Sequence, residues 1–309
     1  MKILVLGGGG FLGINLTKAL LANQYSVRVF ERPGKKIDCL NLLKDKTNLE
    51  WYEGDFTNRN EVSEAIQGCD FIYHLISTTL PKSSNENPAY DIESNVISSI
   101  HMMESARENG VKKIIFASSG GTVYGTPKQT PISETHPTDP ICSYGISKLA
   151  IEKYLALFYT NGGPDYTILR LANPYGYHQS PEASQGAIAV FIKKAINGES
   201  VEIWGDGSII RDYIYVDDVI DAMLQGLIYQ GEEKIFNIGS DSGFSINKLL
   251  DSIDITLGCK TKRIYSHTRN HDVPVNILDI NRAKKLLQWH PAIELMNGLK
   301  KSTKYLSSI

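Results

Sequence analysis

Five short apolar runs punctuate the first 170 or so residues of this chain: Ile3 to Leu6, Val27 to Phe30, Phe71 to Ile76, Ile114 to Ala117 and Tyr166 to Leu169. Runs this short, bounded by turn residues, read as strands buried on both faces. Between them, Leu12, Leu16 and Leu20 share one helical face, as do Val96, Ile100 and Met103, and later Ile151 and Leu155. Strand and helix in alternation predict a parallel sheet, because each crossover must carry the chain from one end of the sheet back to the other. The expected fold class is therefore α/β, with a doubly wound parallel sheet.

After Arg170 the rhythm loosens. Pro174 and Pro181 precede a helix expected near Gly186 to Asn197, a short strand at Val201 to Trp204 and a Gly205-Asp206-Gly207 turn. Strand-like runs return at Tyr213 to Val216 and Ile235 to Ile238, so the chain is expected to revisit the first sheet. The predicted division is a sheet domain over residues 1–172 plus about 209–239, and a smaller C-terminal lobe over about 173–208 plus 240–309.

Of the 309 residues, 42% are hydrophobic and 21% charged, which excludes a disordered or fibrous chain. With 32 basic and 34 acidic residues the net charge is -2, giving no field to draw nucleic acid or anionic lipid. The expected partner is a small molecule. Cys39, Cys69, Cys142 and Cys259 form no CxxC pair and read as reduced thiols, which suits the cytoplasm. The seven histidines lack HxxxH or HExxH spacing, so no metal is expected. No apolar run approaches the length of a signal-peptide core or a membrane span.

Chemistry first shows where the opening strand ends. Gly7, Gly10 and Gly13 give GxxGxxG, directly after one strand and opening one helix. Without Cβ atoms, the backbone N–H groups of such a turn can approach a pyrophosphate, and the helix N-terminus adds partial positive charge. Glu31 stands at the end of the second strand, 18 residues beyond Gly13, where a carboxylate accepts both hydroxyls of an adenosine ribose and repels a 2′-phosphate. That favours NAD over NADP, although neighbouring Arg32 has the chemistry to pair with a 2′-phosphate. Asp55, after the third strand, is placed either to reach the adenine edge or to serve as a turn residue.

Two YxxxK matches occur, Tyr124 to Lys128 and Tyr144 to Lys148. Gly125 and Pro127 disfavour a helix through the first. Tyr144 leads into a good helical sequence, in which i to i+4 sets ring and ammonium side by side. A tyrosine of ordinary pKa near 10 is a poor base at neutral pH; about 4 kcal/mol of phenolate stabilisation lowers it about three units. Lys148 and a bound nicotinamide are expected to supply it, so that Tyr144 takes a proton from a sugar hydroxyl.

These features, with His74-Leu75, Asn95, Ser118-Ser119, Thr122-Val123-Tyr124-Gly125, Arg170 to Gly176, Arg211-Asp212-Tyr213, Arg269 and Asp272, resemble the extended short-chain dehydrogenase/reductases. Within that family the likeness is to the NAD-dependent epimerase/dehydratase group, nearest its UDP-glucose and UDP-N-acetylglucosamine 4-epimerases, and it covers nearly the whole chain. The resemblance implies a Rossmann domain that keeps NAD bound and a nucleotide-sugar substrate. Tyr144 would take the C4 hydroxyl proton while NAD takes the C4 hydride, the 4-ketose would turn, and the hydride would return to its other face. It further implies that Phe11, Leu12, Phe56, Leu75, Asn95 and Ser118 join the cofactor contacts and that Lys148 holds the nicotinamide ribose. Asn173 would touch the nucleotide sugar, Arg211 and Arg269 would grip its diphosphate, and Asp272 would meet its ribose. Thr79, Ile188 and Trp204 complete the implied substrate contacts. Helices around Asn95 to Asn109 and Tyr144 to Tyr159 would build a homodimer.

The departures also inform. Gly120 occupies the place where many members carry the hydroxyl partner of the tyrosine, so that role passes to Ser119, Thr122 or Ser118. The Gly120-Gly121-Thr122 stretch lacks the acids that related dehydratases and decarboxylases use. Asn276 falls where epimerases confined to plain hexoses carry Tyr; with Ala172 it predicts room near C2, and hence acceptance of UDP-N-acetylhexosamines. Two other functions fit the same features: a net reductase or dehydrogenase, and a non-catalytic dinucleotide-binding protein.

Overall fold

The computed structural model describes residues 1–43, 46–182, 186–267 and 273–308. Six strands open the main sheet: β1 (Lys2–Leu6), β2 (Ser26–Glu31), β3 (Leu49–Glu53), β4 (Phe71–His74), β5 (Lys113–Ser119) and β6 (Asp165–Leu171). With Ile235–Ile238 they form a seven-stranded sheet in the order Ile235–Ile238, β6, β5, β4, β1, β2, β3, parallel throughout. This is the doubly wound Rossmann arrangement expected from the sequence.

Alternation along β1 explains its unbroken apolar run. Ile3 and Val5 enter one core, with Leu16 and Leu20 of helix α1 (Phe11–Ala22) and Val219 and Met223 of helix Val216–Ile228. Leu4 and Leu6 enter the other, with Met102, Met103, Ile151 and Leu155. Both faces are covered, so period-2 polarity is lost. Strand order reverses between β1 and β4, and at such a reversal a crevice opens beyond the carboxyl ends of the strands.

Of the two later runs, Ile235–Ile238 pairs with β6, whereas Tyr213–Tyr215 pairs with Asn173–Tyr175 in a separate two-stranded sheet. The expectation that both rejoin the first sheet is corrected for the second. Helix Val216–Ile228 begins immediately after that strand and packs on α1, β5 and β6, leaving the strand beyond the sheet's end. In the C-terminal half, Ser200–Trp204 pairs with Lys262–Ser266, and Ile210–Arg211 lies between Phe244–Ser245 and Val275–Asn276. Asp218 fastens the C-terminal segment: its carboxylate accepts from Ala292 N (2.9 Å) and Ile293 N (3.1 Å), and its carbonyl from Trp289 Nε1 (2.9 Å). Among the described residues, no helix is long and apolar enough to cross a membrane.

Candidate active site

The glycine turn is built by steric exclusion. Gly7 has φ +84°, and its N–H donates to Phe30 O at 2.9 Å. A Cβ on Gly13 would lie 2.1 Å from Gly7 O, and one on Gly9 would lie 2.9 Å from Glu31 Cγ. Gly10 caps α1 with no side-chain hydrogen bond, and no acidic residue follows in the first turn. Phe11 and Leu12 contribute the first helical N–H groups. These donors, free of a side-chain competitor and at a helix N-terminus, fit a pyrophosphate. The Glu31 carboxylate accepts from Gly9 N at 3.0 Å and so borders the same turn.

Around it the expected adenosine contacts divide. Asp55 accepts from Thr57 N and Oγ1, both at 2.8 Å, so its turn role is realised; those bonds, with nearby Arg32, hold its carboxyl below the usual range. Phe56 is buried, its ring 5.1 Å from that of His74. Leu75 continues from β4 beside Gly7, its N–H donating to Leu6 O at 3.1 Å.

From this point two residues of chain lead to the tyrosine. A Cβ on Gly7 would lie 3.1 Å from Ile76 Cγ1, and the next residue, Ser77, lines one small crevice together with Tyr144. One residue spans less than about 4 Å, so the turn and the tyrosine border one crevice. Tyr144 and Lys148 occupy the first turns of helix Ser143–Thr160, with the Lys148 Nζ 5.7 Å from the Tyr144 ring centroid. Lys148 is buried and donates to Ala117 O at 2.9 Å. The other YxxxK match has a different fate: Tyr124 is buried and donates to Asn237 Oδ1 at 2.7 Å.

Beneath the pair lies a buried polar floor that the sequence did not reveal. Asp91 is fully buried and accepts four hydrogen bonds: Ser143 Oγ at 2.8 Å, Ser147 Oγ at 2.7 Å, Asn95 Nδ2 at 3.0 Å and Thr79 Oγ1. Asn95 sits in a π-helical stretch, Ile92–Ile97, and its Oδ1 also accepts from Thr78 N at 2.9 Å. Such π segments are frequent at functional sites. Thr79 and Asn95 are thus committed to holding the floor. Ser143 and Ser147 precede Tyr144 and Lys148 at the same i, i+4 spacing, a signal the sequence does contain. Asp91 carries no such local signal. Deeper still, Arg170 Nη2 donates to Glu152 Oε2 at 2.6 Å, with both side chains almost wholly buried.

Burial dominates the electrostatics of the pair. Burial pushes Tyr144 up to about 12, with Cys142 and Asp91 adding to the rise and the Ser77 hydroxyl opposing it. Burial also pulls Lys148 down to about 8, against the carboxylates of Glu152 and Asp91. For both groups burial is the largest influence.

None of the three hydroxyls expected to assist Tyr144 lines the crevice, whose walls include Ser77, Asp91, Asn95, Tyr144, Ser147, Lys148 and Ile151. Ser118 donates to Glu152 Oε1 at 2.5 Å and serves the Glu152–Arg170 pair. Ser119 ends β5, half-buried, and Thr122 Oγ1 is buried without a hydrogen-bond partner. Gly120 is glycine for packing: a Cβ there would lie 2.5 Å from Leu278 Cδ1. Asn276 is buried, its Nδ2 donating to Gly120 O at 3.0 Å, while its Oδ1 has no hydrogen-bond partner.

A second, broader cleft opens in the C-terminal half among Asp206, Ser208, Tyr265, His267 and Pro274. Trp204 is exposed immediately before it in sequence, and Arg211 follows its Ile209 wall, with Nη1 donating to Ile210 O (3.0 Å) and Val273 O (2.6 Å). Asn173 donates from Nδ2 to Asp212 O at 2.8 Å, and Ile188 is buried in the core. Arg269 and Asp272 lie outside the described residues.

Comparison with known proteins follows this geometry. A family model described as the NAD dependent epimerase/dehydratase family matches residues 3–239. The crystal structure of a UDP-glucose 4-epimerase from Thermotoga maritima, solved with UDP-glucose, superposes with a TM-score of 0.94 at 36% identity, covering 100% of this chain and 99% of that one. A dTDP-4-dehydro-6-deoxyglucose reductase from Escherichia coli is 34% identical, covering 98% of this chain and 96% of its own. A UDP-glucose 4-epimerase from Mycolicibacterium smegmatis is 31% identical over 99% of this chain and 98% of its own.

Proposed function

Since the chain belongs to the NAD dependent epimerase/dehydratase family, we propose that it inverts carbon 4 of a UDP-hexose or UDP-N-acetylhexosamine. NAD is its cofactor. Gly7, Gly10, Gly13 and the first N–H groups of α1 would hold the pyrophosphate, with Glu31 on the adenosine ribose. When bound, NAD supplies a reversible oxidant for carbon 4 and a positive charge near the phenol. Tyr144 takes the C4 hydroxyl proton as the sugar is oxidised and returns one on the other face of the turned 4-ketose. Lys148 orients the nicotinamide ribose. With that added positive charge, the phenol that burial holds near 12 falls toward working range.

The observation that supports this reading is that Tyr144 and Lys148 line one crevice with Ser77, whose neighbour Ile76 packs beside Gly7 at the strand-order reversal. Trp204 and Arg211 beside the broad C-terminal cleft suit the nucleotide and diphosphate, with Arg269 and Asp272 proposed to complete them. Asn276, buried against Gly120 in place of a larger phenol, favours room for an N-acetyl group. Exposed Ile92, Ile97, Ile146 and Leu157 on neighbouring helices support a homodimer, testable by light scattering. A panel of nucleotide sugars, incubated without added cofactor and followed at C4 by NMR, tests the reaction. Inversion of UDP-linked sugars supports it, and their return unchanged rejects it. The 34%-identical reductase favours one second reading, a net reductase, which would consume free nicotinamide cofactor with each turnover.

A further inference from the structure

We infer that Ser77 is the positioning residue for the Tyr144 phenol, supplying from the β4 side the hydroxyl that Gly120 cannot carry. This rests on the epimerase reading above, in which Tyr144 is the base.

No side chain of β5 is among those lining the crevice. Ser118 is bound to Glu152, and neither Ser119 nor Thr122 is among the crevice's lining side chains. At Gly120 a side chain would strike Leu278 and approach Arg170 O to 3.2 Å. Ser77 lines the same crevice as the phenol, and its hydroxyl opposes the rise that burial imposes on it. Its Oγ donates to Thr79 O at 3.0 Å, leaving its oxygen to accept from a neutral Tyr144.

That arrangement lets one hydroxyl serve both states of the base. When Tyr144 is a phenolate, the Ser77 O–H turns from the Thr79 carbonyl to the phenolate oxygen. As the sugar O–H breaks and the Tyr144 O–H forms, the Ser77 O–H turns back, and Ser77 neither gains nor loses a proton. The geometry is held at both ends by one group: Asp91 anchors Thr79 on one side and Ser143 and Ser147 of the tyrosine's helix on the other. A hydrogen bond to the charged form favours that form, so Ser77 counteracts burial. The other charged or titratable groups facing the phenol are Cys142 from the preceding loop, Asp91 from the short helix Pro88–Asp91 and Lys148 from its own helix.

The test compares Ser77→Ala, Ser77→Thr, Ser119→Ala and Thr122→Ala in the NAD-loaded enzyme, measuring kcat, KM and the pH profile. Ser77→Ala should lower kcat about 10- to 100-fold with little change in KM. It should also move the acid limb of kcat to higher pH, because the neutral phenol is no longer opposed. Ser77→Thr should restore most of the rate and the limb, with Ser119→Ala and Thr122→Ala within about threefold of the parent. A Ser77→Ala enzyme within twofold of the parent, or one whose limb does not move, or one that Thr does not restore, overturns the assignment, as does transfer of the effect to Ser119 or Thr122. Tyr144→Phe separates the two claims. Retained turnover there removes the epimerase base itself, whereas an inactive Tyr144→Phe beside a silent Ser77→Ala removes Ser77 alone.

Discussion

The floor under Tyr144 and the broad cleft beside Trp204 are built on opposite principles. In the floor, Asp91, Asn95, Lys148, Glu152 and Arg170 are all buried, and each side chain takes a hydrogen bond from or gives one to another element or loop. In the outer cleft, Trp204 is exposed and the walls are loop and strand-end residues such as Asp206, Ser208 and Pro274. On the proposed epimerase reading, the difference assigns rigidity to the place where a proton and a carbon are to be aligned, and latitude to the place where a ligand is to be gripped. Remote binding at the cleft would then secure a substrate whose sugar is to turn.

Breaking the floor should have the larger consequences. Tyr144→Phe should cut kcat by about a thousandfold or more while NAD stays bound, read by steady-state rates and the cofactor content of the purified protein. Glu152→Gln strands the Arg170 guanidinium, which is almost fully buried, and should cost about 3–5 kcal/mol in denaturant unfolding.

Lys148→Met separates activity from stability. With its pKa near 8 against an ordinary value near 10.4, the folded chain binds fewer protons than the unfolded one between those pH values, so this group makes stability rise with pH across that window. Below it, the buried ammonium is a standing cost. Lys148→Met should therefore stabilise cofactor-free protein at pH 7, by on the order of 3 kcal/mol less the bond to Ala117 O, while lowering kcat at least a hundredfold. The rise above pH 8 should shrink to what Lys113, also pulled by burial to about 8, still contributes. Thermal unfolding across pH reads both effects. The cleft should yield least: Trp204→Ala should raise KM by about tenfold or less with kcat kept, as loss of uniform binding does.

What the sequence disclosed follows the same division between local and distant causes. The glycine turn was legible because its requirement is local: Gly13 abuts Gly7 O within the same turn. The YxxxK choice was legible because Pro127 and Gly125 act on their own neighbourhood. Strand β3 left no apolar run, since it is the half-exposed edge of the sheet and carries Glu50 and Glu53. Asp91 was hidden because its partners come from residues 79, 95, 143 and 147, a convergence that only the folded chain creates. The Tyr144 phenol was legible only in part for a related reason: spacing reveals the lysine one turn on, but not the burial that raises the phenol.

The most direct test follows the hydrogen on carbon 4. A UDP-hexose carrying deuterium there should be inverted with the label still on carbon 4, none in solvent and no free cofactor consumed, because Tyr144 handles only the oxygen-bound proton. Deuterium lost to water, or product formed only as added nicotinamide cofactor is used up, would contradict the account.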